Sequence, residues 1–359
     1  MGWLSAVSGL DLVRLGTTAE AEEIRDTAVT QPLIVAFGLA VAAELSLSGV
    51  DATAGHSVGE LTAAAVAGVF SPEAAVALAS VRGQAMAAAC AQDQTGMSAV
   101  LGGDPDTVVA RLGELGLSPA NRNGGGQIVA AGPVAALKAL AAEPPSGARV
   151  IPLSVAGAFH TPYMASAENT LTELAAGVEP ADPRRILLSN ADGTAVSTGR
   201  QMMRRLVQQV TAPVRWDLCQ DTLLDTGVTT VIELPPAGTL TGLARRSMKG
   251  VEVLALKKPE DLSAARDLIA RAATAQAQYT PDWRVVVAPV KGTFHPIDLV
   301  EGSTVAVGGL LGTVRTKRDE HQVSASYQGV LVEWLLQEGD LVDAGEPLAR
   351  LYPGTAGSA

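Results

Sequence analysis

The chain has 359 residues, of which 47% are hydrophobic and 18% are charged, so it is long enough for several cores and too apolar to be disordered. Its formal net charge of -11 argues against a nucleic-acid-binding protein, which needs a basic surface. Two cysteines cannot build a disulfide framework, so we expect a cytoplasmic protein, with neither signal peptide nor membrane span.

The first part of the chain alternates helix and strand patterns. Residues 32–47 are apolar on nearly all sides and predict a helix at the centre of the fold. A short strand is expected within residues 50–55, followed by a helix that begins near Ser57. Ser71 and Pro72 are typical of the N-cap and first position of a helix and open another Ala-rich helix.

Residues 97–155 show strand and helix signals in the order β-α-β-β-α-β. This order predicts a small ferredoxin-like subdomain inserted into a larger domain. Two later apolar runs, which end at Asn190 and Pro236, are typical of strands. The main body, residues 1–278, is therefore expected to be α/β with a mostly parallel sheet.

The composition changes near residue 280, where short β-branched runs with glycines replace the helical pattern. This tail contains an internal repeat, in which Gly292 aligns with Gly329, 37 residues later. The same lag aligns further identical pairs: Val286 with Val323, Ala288 with Ala325, Glu301 with Glu338, Gly302 with Gly339, Val305 with Val342, Gly308 with Gly345 and Leu311 with Leu348. Each half is too small to bury a core alone, so two interleaved halves predict a small β-sandwich over residues 284–353.

Residues 55–59, Gly-His-Ser-Val-Gly, form a GxSxG motif between a predicted strand and a predicted helix. A strand-turn-helix arrangement of this kind exposes the serine oxygen, here that of Ser57, and directs a helix N-terminus toward it. The N–H of Val58 would then face the oxyanion that forms on the substrate. A serine that only caps the helix explains the same residues equally well.

A serine requires a base to act as a nucleophile at neutral pH. Of the four histidines, His295 and His321 belong to the repeat region. His56 adjoins Ser57 on the turn and is expected to point away from it. His160 remains, on a loop that follows a strand and precedes a proline. A hydrogen-bonded core histidine is the alternative interpretation of His160.

Four spaced motifs, GHSVGEL at 55–61, QAM at 84–86, GAFHTPYM at 157–164 and TAPVRW at 211–216, together resemble those of malonyl-CoA:acyl-carrier-protein transacylases. The resemblance covers about residues 1–260. It implies an acyltransferase with an α/β-hydrolase-like core, an ACP S-malonyltransferase. Such an enzyme moves malonyl groups from malonyl-CoA to acyl carrier protein for fatty-acid or polyketide synthesis.

The same resemblance implies roles for individual residues. Ser57 matches the nucleophile and His160 its general base. Arg82 matches the arginine that binds the free carboxylate of malonate, a task for which a bidentate guanidinium is well suited. A cation on a helix surface is the alternative for Arg82.

Four further residues match the family's substrate site. Gln31 matches a glutamine of the acyl pocket, and Asn123 an asparagine at the mouth of the coenzyme A cleft. The main-chain carbonyl of Gln209 is expected to orient the catalytic histidine. Phe159 matches a ring that fills the space an α-methyl group would need in malonyl-selective members.

The chain departs from the family at its N-terminus. The family opens with a strand and a GQGxQ loop whose glutamine donates to the oxyanion, and this sequence has no such motif. Either the start of the chain is assigned too late or the chain is truncated, and we expect a truncated N-terminus. Loss of one oxyanion donor costs roughly a hundred- to a thousandfold in other acyl-transfer enzymes.

The repeat region resembles a biotinyl or lipoyl domain, in which a lysine at a hairpin tip is modified. Counted seven residues on from Leu311 or eleven back from Gly329, the family position falls on Arg318. Lys317 is one residue away, and a one-residue shift turns a strand side chain to the other face. We therefore expect neither biotin nor lipoate on Lys317, no other cofactor, and a docking or structural module. The basic residues Arg315, Lys317 and Arg318 could contact an acidic carrier protein or simply form a solvated turn.

Two other functional classes stay open. A serine hydrolase of the α/β-hydrolase type would need an acid between serine and histidine in chain order. The acidic residues between Ser57 and His160 have no distinguishing context. A non-catalytic scaffold is the second alternative, because the N-terminal loop is absent and the hairpin is expected to be unmodified.

Overall fold

The computed structural model describes residues 1–279 and 284–352. Contacts divide the chain into two compact units, with the division between Ala273 and Thr274. Within the described residues, no helix combines the length and the hydropathy needed to cross a bilayer.

The first unit mixes helices with short strands. Its helices are α1 (Gly2–Ser8), α2 (Leu12–Thr17), α3 (Ala21–Ile24), α4 (Thr27–Ala43), α5 (Gly59–Val66), α6 (Pro72–Cys90), α7 (Pro105–Glu114), α8 (Val134–Ala142), α9 (Ala165–Ala175), α10 (Gly199–Gln209), α11 (Trp216–Asp225), α12 (Thr239–Ser247) and α13 (Asp261–Tyr279), the last of which continues past the division. Its strands are β1 (Ala52–Thr53), β2 (Thr95–Gly102), β3 (Ser118–Gly124), β4 (Gln127–Pro133), β5 (Ala148–Leu153), β6 (Ile186–Leu187), β7 (Val214–Arg215), β8 (Thr230–Glu233) and β9 (Glu252–Ala255).

Capping side chains determine where the long helices begin. The Asp26 carboxylate accepts the N–H of Ala28 at 2.9 Å, so α4 starts well before Pro32, which lies inside the helix. The predicted start at residue 32 is wrong because the Asp26 cap lets the helix begin at Thr27. At α6 the Ser71 hydroxyl accepts the N–H of Ala74 at 3.1 Å, as predicted.

Helices α4, α5 and α6 pack around a core of small aliphatic side chains. Its fully buried members include Leu12, Val35, Ala36, Ala64, Ala67, Ala75, Val76 and Ala79. Gly83 on α6 lies against the start of α4, where an added Cβ would come within 2.7 Å of the Thr27 carbonyl oxygen. This close approach carries the neighbouring Arg82 toward α4.

The parallel sheet differs from the one expected. β1 pairs with β6 and β8 pairs with β9, both in parallel, but the two pairs are not joined to each other. Residues of both β1 and β8 line an apolar cleft of about 750 Å³. In the described part of the chain, two short parallel pairs therefore replace the continuous sheet. An apolar run predicts that a strand is buried, but it does not predict the strand with which it pairs.

Residues 95–153 supply most of a five-stranded sheet. Their elements follow in the order β2-α7-β3-β4-α8-β5, and the strands lie side by side as β5-β2-β4-β3-β7. All pairings are antiparallel except that of β3 with β7. Leu112 and Leu140, fully buried on the two helices, pack into its core.

The second unit consists of short strands. They are β10 (Arg284–Val287), β11 (Gly292–Pro296), β12 (Thr304–Val305), β13 (Leu310–Arg315), β14 (Glu320–Ser324), β15 (Gly329–Trp334), β16 (Leu341–Val342) and β17 (Pro347–Tyr352). They form two four-stranded sheets, ordered β10-β17-β15-β12 and β14-β13-β11-β16. The 37-residue lag maps β10–β13 onto β14–β17 in order, so each sheet takes two strands from each half of the repeat. The two halves interleave around one core that contains Phe294, Leu311 and Leu348.

Candidate active site

The loop between β1 and α5 turns sharply at Ser57. Its φ of 54° lies in the left-handed region, which is costly for a residue with a side chain. Gly55 permits the turn, since an added Cβ would lie 2.1 Å from the carbonyl carbon of Gly59. The N-cap of α5 is Val58, and no side chain caps this helix. Ser57 therefore does not serve as the helix cap.

Ser57 and His160 form a hydrogen-bonded pair. The Ser57 Oγ lies 2.7 Å from His160 Nε2, and His160 Nδ1 lies 2.7 Å from the main-chain oxygen of Gln209. Because a carbonyl can only accept, Nδ1 carries the proton and Nε2 is left as the acceptor. His160 also has a positive φ, 59°, and with Ser57 it is one of two such non-glycine residues in the described ranges.

The environment keeps His160 neutral. Burial, and after it the positive charge of Arg82, lowers the pKa of His160 to about 3. Its imidazole is therefore unprotonated near pH 7, and Nε2 can take the proton of the Ser57 hydroxyl.

The Arg82 guanidinium lies beside the serine and is 3% exposed. Nη1 donates to Gln31 Oε1 at 2.6 Å, while Nη2 donates to Gln209 Oε1 at 2.8 Å and to Ser57 Oγ at 3.3 Å. Burial lowers the pKa of Arg82 to about 10, and the charge of Glu60 opposes the shift, so the group is a cation at neutral pH. No carboxylate among the described residues forms an ion pair with it. A buried cation with neutral partners can accept an anionic ligand.

A cavity of about 890 Å³ opens onto this group. Its lining includes Thr27, Gln31, Ser57, Val58, Arg82, Met86, Val155 and Phe159. The N–H of Val58 has no hydrogen-bond partner in the described part of the chain, so it can donate into the cavity. The lining also includes the charged residues Glu22, Arg25 and Asp26, and Arg82 is the cation that donates to the serine oxygen.

Asn123 lies elsewhere. It sits on β3, where its Oδ1 is 2.9 Å from His56 Nε2 and its Nδ2 donates to Gln127 Oε1 at 3.1 Å. The His56 ring is turned edge-on to Trp216, with 5.8 Å between the ring centroids. Asn123 and His56 line the cleft beside β1 and β8 and not the cavity at Ser57.

Two buried polar residues at the site were not singled out from the sequence. Asn190 accepts the N–H of Ser57 and donates to the carbonyl of Gly55, both at 2.8 Å. The Glu60 carboxylate, 1% exposed, accepts the N–H of Asn190 at 2.6 Å and a hydrogen bond from Gln209 Nε2. Burial raises the pKa of Glu60 to about 8, and the hydrogen bond from the Asn190 N–H and the charge of Arg82 oppose this rise.

Comparisons with known proteins agree with one another. A family model described as "Acyl transferase domain" matches residues 3–278. The malonyl CoA-acyl carrier protein transacylase of Mycolicibacterium smegmatis is 56% identical over 266 residues, which are 72% of this chain and 92% of that protein. The one from Mycobacterium tuberculosis (strain ATCC 25618 / H37Rv) is 54% identical over 269 residues, 74% of this chain and 89% of that protein.

Solved structures of such enzymes share the fold. The crystal structure of MCAT from Mycobacterium tuberculosis aligns with a TM-score of 0.71 at 53% identity, over 74% of this chain and 89% of that one. A malonyl-transacylase in complex with a type II PKS acyl-carrier protein aligns with a TM-score of 0.68 at 28% identity, over 74% and 89% of the two chains. The chain belongs to the acyl transferase family, in the group of malonyl-CoA–acyl carrier protein transacylases.

Proposed function

We propose that this chain transfers a malonyl group from malonyl-CoA to the phosphopantetheine thiol of acyl carrier protein, for fatty-acid or polyketide synthesis. The observation that carries the proposal is the convergence of two groups on one oxygen. Ser57 Oγ lies 2.7 Å from His160 Nε2 and 3.3 Å from Arg82 Nη2. A nucleophile between a base and a buried cation suits a substrate with a reactive thioester and a free carboxylate.

In the first half-reaction, Ser57 Oγ attacks the thioester carbonyl while its proton moves to His160 Nε2. The Val58 N–H donates to the oxygen that becomes negative in the tetrahedral intermediate. The carbon–sulfur bond then breaks, and the departing coenzyme A thiolate takes the proton from His160. The Gln209 carbonyl keeps the histidine in the required tautomer throughout.

In the second half-reaction, the carrier thiol gives its proton to His160 and its sulfur attacks the malonyl-serine ester. The ester carbon–oxygen bond breaks, and the proton returns to Ser57. The product is malonyl-carrier protein, and the enzyme is restored without net proton change.

The remaining site residues select the substrate. Arg82 binds the free carboxylate of malonate. Gln31 accepts a hydrogen bond from Arg82 Nη1 and so helps to orient the guanidinium. Phe159 fills the space next to the α-carbon and so excludes an α-methyl group. We place Asn123 at the mouth of the coenzyme A cleft, where it joins β3 to the loop at His56.

We infer the domain organisation as follows from the same sequence patterns. Residues 1–278 form the transferase domain, and the strand order β5-β2-β4-β3 supports a ferredoxin-like subdomain over about 97–155. Residues 284–353, of which 353 lies outside the described part, form a barrel-sandwich domain of the biotinyl or lipoyl type. Its interleaved sheets support this inference.

The turn between β13 and β14 bears on the role of that domain. Arg315 pairs with Glu320, and the N–H of Thr316 donates to the carbonyl of Asp319, so Lys317 and Arg318 are the two central turn residues. Both are exposed. Because neither residue lies in a strand, the one-residue difference between them does not turn a side chain to the other strand face, contrary to expectation. Arg318 stands at the position of the modified lysine in the family, so we propose an unmodified module whose basic turn can contact an acidic carrier protein.

Mass spectrometry of the protein incubated with malonyl-CoA tests the proposed function. We expect a malonyl adduct on Ser57 that is lost in Ser57→Ala and discharged by holo-acyl carrier protein. Ser98→Ala, a buried serine on β2, is the matched control and should keep the adduct. Release of free malonate without an acceptor would instead identify a hydrolase, and absence of any adduct would refute catalysis.

A further inference from the structure

We propose that Asn190 is a positioning residue of this reaction, whose side-chain amide holds the left-handed turn at Ser57 and so aims the hydroxyl at His160. The inference rests on the proposed function, because it concerns the same serine. Asn190 is fully buried and does not line the cavity at Ser57, so it acts through the serine and not on the substrate.

The amide of Asn190 bridges the turn. Its Oδ1 accepts the N–H of Ser57 and its Nδ2 donates to the carbonyl of Gly55, each at 2.8 Å. These two backbone groups flank the turn that leads into the residue with φ of 54°. Asparagine carries an acceptor and a donor on one planar group, so a single side chain can satisfy both sides of the turn. Without it, two backbone groups at the turn lose their partner.

Asn190 is itself held from several directions. It follows β6, and β6 runs parallel to β1 with Thr53 opposite Leu187, so the carboxyl ends of both strands meet at the same edge. Its main-chain N–H donates to Glu60 Oε1 at 2.6 Å, and its carbonyl accepts the N–H of Arg215 at 2.8 Å. These main-chain contacts fix the position of the Asn190 side-chain amide relative to the turn.

The same residue is connected to the base and to the cation. Gln209 Nε2 donates to Asn190 Oδ1 at 3.2 Å and also to the Glu60 carboxylate. The main-chain oxygen of Gln209 accepts from His160, and its side-chain oxygen accepts from Arg82. One buried group of amides thus sets the relative positions of nucleophile, base and carboxylate-binding cation.

Two substitutions distinguish the hydrogen bond to the Ser57 N–H from the hydrogen bond to the Gly55 carbonyl. Asn190→Ala removes both, while Asn190→Asp keeps an acceptor for the Ser57 N–H and loses the donor to Gly55. For each we would measure single-turnover malonylation of Ser57, the KM for malonyl-CoA, and labelling of Ser57 by a fluorophosphonate. The last reagent needs neither Arg82 nor the coenzyme A cleft, so it reports the reactivity of Ser57 with its base His160 and not the binding of the substrate.

We expect malonylation and fluorophosphonate labelling of Asn190→Ala to fall together, by about a hundredfold, the usual consequence of misplacing a reacting group by 1 Å. The KM for malonyl-CoA should change little, and Asn190→Asp should be intermediate. Leu140→Ala, in the separate core cluster that includes α7 and α8, is the control that lowers stability without touching the turn. Below its melting temperature it should label at the wild-type rate.

A folded Asn190→Ala protein that labels at the wild-type rate would overturn the proposal. So would an equal loss in Leu140→Ala, which would make the effect one of general stability. If Asn190→Ala does not fold, Asn190→Asp decides by the same criteria. A wild-type chain that reacts with the fluorophosphonate but not with malonyl-CoA would contradict the proposed function and leave the Asn190 comparison intact.

Discussion

Replacement of Arg82 by alanine is expected to remove the selectivity for a malonyl over an acetyl thioester. The guanidinium is 3% exposed, and its described hydrogen bonds, to Gln31, Gln209 and Ser57, all go to neutral groups. Its charge is therefore available to the free carboxylate of malonate. An acetyl group has no carboxylate to bind.

The size of the effect follows from the geometry. A hydrogen bond to a charged group contributes about 1.5–3 kcal/mol, so a bidentate contact contributes roughly 3–6 kcal/mol. At about 1.36 kcal/mol for each tenfold change in rate, kcat/KM for malonyl-CoA should fall by roughly two to four powers of ten. Arg82→Lys keeps the charge but not the planar fork, so it should lose about one to two powers of ten.

Steady-state kinetics with malonyl-CoA and acetyl-CoA checks this prediction. For acetyl-CoA, kcat/KM should change little in Arg82→Ala. Arg111→Ala, whose guanidinium pairs with Glu114 and Glu143, is the matched control and should behave as wild type toward both substrates. An equal loss with both substrates would show that Arg82 only holds Gln31 and Gln209 in place and does not bind the carboxylate.

Three further predictions concern the histidine, the turn and the acyl pocket. The pKa of His160 is lowered from 6.5 to about 3 in the folded chain, so kcat/KM should stay level down to about pH 5. The contribution of His160 to the free energy of unfolding should be complete above pH 6.5 and decline as the pH falls toward 3, as followed by circular dichroism. Gly55→Ala should lower the free energy of unfolding by more than about 2 kcal/mol and abolish fluorophosphonate labelling of Ser57. Gly59→Ala, where an added Cβ meets nothing within 4 Å, should unfold like the wild type in the same thermal scan. Phe159→Ala should raise kcat/KM for methylmalonyl-CoA relative to malonyl-CoA, and an unchanged ratio would remove Phe159 from the selectivity argument.

Local signals in the sequence predicted helices better than sheets. The Ser71 cap could be identified because the interaction lies within three residues of the chain. The start of α4 could not be placed from Pro32, because the competing cap at Asp26 fixes the helix first. Strand pairing depends on residues far apart in sequence, such as Ala52 and Ile186, and no local pattern encodes it.

The site divides in the same way. Ser57 has a motif of its own, and elimination among the four histidines leaves His160 as a candidate with a core histidine as the alternative. The family resemblance is needed to favour His160 as the base and to give Arg82 a role, since nothing local joins residues so far apart. Asn190 did leave a signal, a polar residue at the end of an apolar strand, where parallel strands place functional groups. Its hydrogen bond with the N–H of Ser57 could not be predicted, because that contact depends on the pairing of β6 with β1.

The partner of His160 bears on the choice between transfer and hydrolysis. A Ser-His-Asp hydrolase places a carboxylate on Nδ1, and here Nδ1 meets the carbonyl of Gln209 at 2.7 Å. The Glu60 carboxylate is instead hydrogen-bonded to Asn190 and to the Gln209 amide. A carbonyl fixes the tautomer as a carboxylate does, but it adds no negative charge to stabilise an imidazolium.

A base of this kind discriminates between acceptors by their acidity. With its pKa lowered to about 3 by burial and by Arg82, His160 is a weak proton acceptor. A thiol, with a pKa of about 8.5, gives up its proton far more readily than water, with a pKa of about 15.7. The malonyl ester on Ser57 should therefore react quickly with a positioned thiol and slowly with water. Ser57 is a hydroxyl about as weakly acidic as water, so its position 2.7 Å from His160 Nε2, and not the strength of the base, makes it the nucleophile of the first half-reaction.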